Sequence, residues 1–207
     1  GVVMFQSKLI YIHDPMCSWC WGYAPTWLKL KEQLEHKIIV EYKVGGLAPD
    51  SQQPMEKAMK AMLEETWHKI QKQLGTEFNY DFWRNCEPRR STYPACRAAL
   101  IARKTNKEAQ MIEAIQHAYY LNAQNPSDEI TLVELAEGIG FEKTAFAEEL
   151  ASLSLNNELS DELNFIKTLP INGFPSLVLI HNNSYYPIAV DYTDWQSTYD
   201  KISSIID

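Results

Sequence analysis

The sequence predicts an α/β fold in which a large all-helical segment is inserted between the second and third strands of a small sheet. Three observations predict it. The chain opens on strand, helix, strand. A long middle stretch, from Pro49 to about Asn156, carries apolar residues at helical period and no strand pattern. The last third returns to helix, strand, strand, helix.

Taken in order, Lys8 to Asp14 is apolar and rich in strand formers, and Pro15 closes it. The run from Gly1 to Tyr11 reads as part of the same first strand. Trp27, Leu28, Leu30 and Leu34 then recur at helical spacing, and Ile38 to Val44 reads as a second strand ended by Gly45-Gly46. Strand, helix, strand in that order makes a right-handed parallel unit. In the middle stretch, helices are expected around Met55 to Leu74, after Pro94, over Met111 to Leu121, over Leu132 to Ile139 and near Phe146. A helix is expected over Asn156 to Thr168. Ser176 to Ile180 is a continuous apolar run typical of a strand buried on both faces. Asn182-Asn183 is a hairpin turn, since Asn tolerates positive φ. The returning strand, Ser184 to Val190, contains Pro187, which removes a ladder donor and predicts an edge position. Thr193-Asp194-Trp195-Gln196 reads as a capping box opening a final helix. The domain division that follows is 1–48 with 157–207 for the sheet, and 49–156 for the helical insertion.

Composition narrows the function. The 207 residues are 45% hydrophobic and carry a net charge of -8. An acidic balance argues against nucleic acid, which needs a basic face, and against a polybasic contact with anionic lipid. Arg84, Arg89 and Arg90 form a local basic cluster, read as a solvated surface turn. No apolar run approaches the ~20 residues needed to span a bilayer. The start lacks the basic leader and small-residue cleavage site of a signal peptide, so a cytoplasmic location is expected, or a periplasmic one if a leader has been removed. Four cysteines are too few for a disulfide scaffold.

Two of those cysteines carry the chemistry. Cys17-Ser18-Trp19-Cys20 lies where the first strand gives way to a helix. Disulfide exchange needs one sulfur that attacks and a second close enough to resolve the mixed disulfide. At a helix start, the free N–H groups and the positive dipole end favour a thiolate. Cys17 is therefore the expected nucleophile and Cys20 the resolving thiol. Ser18 and Trp19 add no charge: Ser18 is a candidate donor to sulfur, and Trp19 adds apolar cover. His13 is the nearest candidate cation. A metal pair is the competing reading of the motif, but Cys86 and Cys96, ten residues apart, do not make the second short-spaced pair of a zinc site. The five His show no HxxxH or HxH pattern, so no metal is expected. Cys86 and Cys96 are read as two separate thiols.

The segment Cys17 to Pro25 (CSWCWGYAP) resembles the active-site helix of the thioredoxin superfamily, in which a proline follows the second cysteine by five residues, the place of Pro25. Gly173-Phe174-Pro175-Ser176, followed by LVLI, resembles that superfamily's cis-proline loop. The helical insertion is similar to that of the DsbA-like branch. Within it, HDPMCSWCWG, GGLAP, RRSTYPACRAAL, AIQHAYYLNAQNPSD and GFPSLVL resemble the protein-disulfide isomerase, FrnE-like subgroup. The resemblance implies a thioredoxin-like fold, thiol–disulfide exchange with Cys17, Cys20 and Pro175 as site residues, and no metal or tightly bound cofactor. It implies thiol- or disulfide-containing proteins or small molecules as partners, with glutathione a candidate redox partner. Ser18-Trp19 departs from the Pro-His dipeptide of DsbA, which argues against strong oxidising power. A glutathione-dependent isomerase or transferase of the kappa-like type is the alternative. Those relatives usually keep a single Ser or Cys at the first position, so Cys20 argues against it. A non-enzymatic adaptor is a third reading, and it would tolerate loss of both cysteines.

Other residues complete the expectation. Phe174 is expected beside the site, with backbone able to pair with a bound peptide. Trp19, Trp21, Tyr23 and Phe174 are candidates for an apolar substrate collar. Asp14 is a candidate acid–base group near Cys20, weighed against a role as turn cap. Met55, Met59 and Met62 are read as helix core. Oligomeric state is left open.

Overall fold

The computed structural model describes residues 7–207; the part of the first strand expected over residues 1–6 lies outside the described residues. Four strands form one sheet in the order β2-β1-β3-β4, with β1 at Ser7–His13, β2 at Ile39–Val44, β3 at Ser176–His181 and β4 at Ser184–Ile188. β1 pairs parallel with β2, Lys8 opposite Ile39, and antiparallel with β3, Leu9 opposite Leu179. β4 lies at the edge, with Pro187 opposite Val178, so the missing proline N–H interrupts no inner ladder.

Side chains alternate across a strand, so β1 feeds two cores. Leu9 and Tyr11 pack with α1 (Ser18–Leu34) and α9 (Trp195–Ile206) through Leu30, Leu34 and Ile202. Ile10 and Ile12 face the other way, against Ile166 and Leu169 at the end of α8 (Leu153–Ile166). Helix α8 begins three residues before the expected Asn156, where Ser152 caps it by accepting from the Leu155 amide. It crosses the 156/157 line and packs on the sheet.

The inserted segment has its own core. It comprises α2 (Lys57–Leu74), α3 (Asp81–Asn85), α4 (Tyr93–Arg103), α5 (Glu108–Gln116), a π-helical turn (His117–Leu121), α6 (Glu129–Gly138) and α7 (Lys143–Leu150). Trp67, Phe82, Tyr119 and Tyr120 form an aromatic nucleus, with Trp67 within 6 Å of the other three ring centroids. Several attachments hold this segment to the sheet. Gly22 of α1 sits against Ile70 and Leu74 of α2, and Trp21 Nε1 donates to the Glu77 carbonyl at 2.9 Å. Buried Glu162 of α8 accepts from the Val44 amide at 2.8 Å and pairs with Arg103 of α4.

Two local expectations are corrected. The final helix is capped one residue later than the Thr193 capping box requires. Asp194 is the N-cap, accepting from the Gln196 and Ser197 amides, while Asp191 holds Thr193 and Asp194. The methionines are not one helix-core stripe: Met55 precedes α2 and is buried, whereas Met62 is 50% exposed. The buried residues of α2 are Trp67 and Ile70.

Candidate active site

Cys17 is the N-cap of α1, with extended backbone (φ -82°, ψ 119°). The chain reaches it through a tight turn, closed by the Cys17 amide donating to the Asp14 carbonyl at 2.9 Å. An N-cap side chain accepts from the first unpaired amides of its helix, and here the acceptor is sulfur. The Cys20 amide donates to Cys17 Sγ at 3.3 Å. That hydrogen bond, one turn into the helix, is why a two-residue spacer brings the cysteines together. Cys17 is 7% exposed and Cys20 0%. Burial is the main cause holding the Cys20 thiol well above its ordinary pKa, with the hydrogen bond and charge of Cys17 adding to it. Helix α1 continues through Pro25 to Leu34.

Across from the sulfur lies the loop before β3. The Phe174–Pro175 peptide is cis, as the sequence predicts. The Phe174 carbonyl is 3.6 Å from Cys17 Sγ and accepts from the thiol. Pro175 itself is buried and does not line the cavity beside Cys17. The Phe174 ring is seated on Gly45, where a Cβ would overlap it. Gly46, with φ +61°, follows, and a side chain there would meet Leu163. The Gly-Gly pair ending β2 therefore gives close approach to the cis-proline loop as well as a strand end.

A cavity of about 690 Å³ opens between the sheet and the insertion. Its lining includes Cys17, Ser18, Trp19 and Phe174, together with Arg90, Tyr93 and Tyr119. Trp19 is half-buried, its ring beside Tyr192 (centroids 5.3 Å apart) and under the Lys69 ammonium. The expected collar reduces to Trp19 and Phe174. Trp21 stacks on Tyr120 and Tyr23 is fully buried; neither reaches the cavity. The hydrogen bond to Cys17 sulfur comes from the Cys20 amide, not from Ser18.

His13 gives no cation. It is buried against Tyr11, and burial, with Arg103 nearby, lowers its pKa to about 3, so it is neutral beside the site. Asp14 is wholly buried and its carboxylate gathers four donors. Oδ1 accepts from the Met16 amide (2.8 Å). Oδ2 accepts from the Leu47 amide (2.8 Å), Thr92 Oγ1 (2.7 Å) and Cys96 Sγ (3.4 Å). Burial raises its pKa despite these bonds. Asp14 thus ties the turn before Cys17, the loop after β2 and the start of α4 to one point. Cys86 is bonded elsewhere, to the Ala123 carbonyl, and both it and Cys96 are free thiols.

The basic cluster splits. Arg84 is exposed and pairs with Asp81. Arg89 is held by Asp128 and by the Ser51 and Ser127 carbonyls. Arg90 is half-buried and lines the cavity. Neither Arg90 nor Tyr119 stood out in sequence as a site residue. Tyr119 is brought there by the π turn, which no residue pattern announces.

Comparison with known proteins agrees with this geometry. A family model described as Thioredoxin matches residues 10–198. The ClpXP adapter protein SpxH of Bacillus subtilis (strain 168) is 25% identical over 175 residues, 81% of this chain and 56% of that protein, so the chain spans little more than half of that curated relative. Two solved structures share the fold. A proposed protein disulfide isomerase from Nitrosomonas europaea has TM-score 0.81 and 24% identity, covering 96% of this chain and 97% of the other. The cytosolic disulfide reductase DsbM from Pseudomonas aeruginosa, solved with GSH, has TM-score 0.76 and 22% identity, covering 96% and 98%.

Proposed function

From the premise that this chain belongs to the thioredoxin family, its architecture being that of the DsbA-like branch, we propose that it is a thiol–disulfide oxidoreductase working through Cys17 and Cys20. One observation carries the reading: a sulfur at a helix N-cap is open to a cavity, while its partner one turn away is sealed. Cys17 attacks a substrate disulfide and forms a mixed disulfide, releasing the first substrate thiol. Cys20 then attacks Cys17 sulfur, closing the Cys17–Cys20 bond and releasing the second. The reverse sequence, run by a thiol such as glutathione, restores the dithiol. Phe174 presents its carbonyl to the reacting sulfur, and the cis peptide joins it to Pro175. Ser18 and Trp19 wall the entrance. Asp14 acts by positioning, because its acceptors are already committed to four donors.

The test is insulin reduction by wild type, Cys17→Ser and Cys20→Ser. Both variants should lose turnover, and Cys20→Ser should accumulate a mixed disulfide on Cys17. Turnover surviving in both would refute the proposal. A second reading, an adaptor for a partner protein, is favoured by the similarity to SpxH. It expects partner binding that survives loss of both cysteines.

A further inference from the structure

The chain carries 27 acidic residues against 19 basic ones. Helix α2 reverses this balance, with Lys57, Lys60, Lys69 and Lys72 against Glu64 and Glu65. Among the described residues, none of these lysines has a carboxylate within 4 Å. Glu64 lies 3.9 Å from His68 Nε2 instead. The helix is also sparsely covered. From Lys57 to Thr66 no residue is buried, although Ala58, Met59, Ala61, Met62 and Leu63 are apolar.

Residues three and four apart share a helix face. Met62, Thr66, Lys69 and Lys72 therefore form one stripe, and together with Glu65 and His68 they line a cavity of about 470 Å³. The stripe adjoins the Cys17 cavity. Thr66 lines both cavities. The Lys69 ammonium stands 5.9 Å from the centre of the Trp19 ring, and Trp19 lines the Cys17 cavity. From Met62 to Lys72 the helix rises about 15 Å, the span of roughly four or five extended residues. A polypeptide segment has that reach. A nucleic acid would need a wider basic face, and a chain of net charge -8 would repel it.

We infer that this stripe docks a polypeptide substrate through an acidic segment flanking its reacting disulfide, with Lys69 and Lys72 meeting the carboxylates and Met62 and Trp19 meeting apolar side chains. The inference rests on the redox reading of Cys17 above and names the kind of protein substrate that reading would serve. Complementary charge of this sort acts on encounter and on choice of partner more than on raw affinity. Methionine suits the apolar part, because its flexible thioether packs against varied shapes. A lysine that is already salt-bridged offers little to a partner, whereas these four stand free. The covalent steps are those already given; the docked segment brings the substrate sulfur to Cys17.

The experiment uses the reduced full chain and a set of quenched fluorescent peptide disulfides that differ only in carrying Glu, Gln or Lys beside the cysteine. Each cleavage rate is divided by that of the same peptide with dithiothreitol, which removes the effect of the flanking charge on the sulfur itself. Wild type should favour the Glu peptide over the Gln peptide by about fivefold at low ionic strength, the ceiling for an exposed ion pair, and the Lys peptide should be slowest. The preference should shrink as salt is raised. Both lysines are exposed, so their replacement leaves the core untouched. In Lys69→Gln with Lys72→Gln the ratio should fall to near one, and in Lys69→Glu with Lys72→Glu it should invert. Equal normalised rates in wild type, or a ratio unchanged in both variants, overturns the inference while leaving the redox reading intact. A wild-type dimer in sedimentation at low salt that the Glu variant dissociates would assign the stripe to a second copy of the chain and overturn it likewise. Peptides cleaved no faster than in buffer alone overturn the redox reading and this inference with it.

Discussion

Replacing Asp14 by alanine removes the acceptor of four donors at once, in a place water does not reach. Two of the four can adapt. Thr92 Oγ1 has the Ala48 carbonyl at 3.5 Å, and the Cys96 thiol is a weak donor. The Met16 and Leu47 amides are backbone and cannot turn away. A buried unpaired donor costs about 1–3 kcal/mol, so the amides set a gross loss of roughly 2–6 kcal/mol. Relief from burying the carboxyl group returns part of this, leaving a net destabilisation of about 2–4 kcal/mol. Asp14→Asn should lose less, about 1–2 kcal/mol, because its carbonyl can serve the Oδ2 donors while one amide goes unpaired. The pH dependence has a definite sign. Burial raises the Asp14 carboxyl above its ordinary 3.8, so the folded chain binds this proton more tightly than the unfolded chain. The stability it contributes is fully present below 3.8 and declines as pH rises through the folded value. The advantage of wild type over Asp14→Asn should therefore be widest at the acid end and narrow towards neutrality. Urea denaturation of the three proteins across that range measures it. Asp14→Ala within 0.5 kcal/mol of wild type, roughly the noise of a neutral surface change, would refute the anchoring role; a gap that widens towards neutral pH would refute the pKa argument.

Two further outcomes follow from neighbouring residues. Gly45→Ala places a methyl group into the Phe174 ring; it should cost about 1–3 kcal/mol and slow exchange at Cys17, and Phe174→Leu added to it should recover part of both, read by denaturation and by insulin turnover. His13, with its pKa lowered to about 3, is neutral when folded and protonated when unfolded below 6.5. Wild type should lose up to about 1.4 kcal/mol per unit through it as pH falls below 6.5, and His13→Phe, which keeps the ring stacked on Tyr11, should flatten that limb of the stability curve.

The sheet and the Cys17–Cys20 pair were legible because their signals are local. Strand periodicity, a CxxC at a strand–helix junction and a proline before a continuous apolar strand each sit within a few residues. Arg90 shows what was not legible. Beside Arg89 it reads as one polar turn, yet Arg89 finds Asp128 and Arg90 faces the cavity. The difference depends on Asp128, the N-cap of α6, which lies 39 residues beyond Arg89. Asp14 was visible as a candidate, but its four donors come from three segments, and no spacing brings Thr92 and Cys96 to it. Gly45-Gly46 was read as a strand end; its second task becomes visible only when Phe174 is laid across it.

The unequal burial of the two sulfurs also orders the proposed chemistry. Cys20 keeps its proton first because it is buried, and next because Cys17 sits beside it as a hydrogen-bond partner and a charge. Bonding Cys17 to a substrate sulfur removes the charge and that hydrogen bond together. Of the causes that raise the Cys20 thiol, burial and the charge of Asp14 remain, while the contribution from Cys17 disappears when the mixed disulfide forms. In that cycle Cys20 is thereby easier to deprotonate after the first step than before it. In the proposed cycle, substrate enters at Cys17, and its arrival readies Cys20.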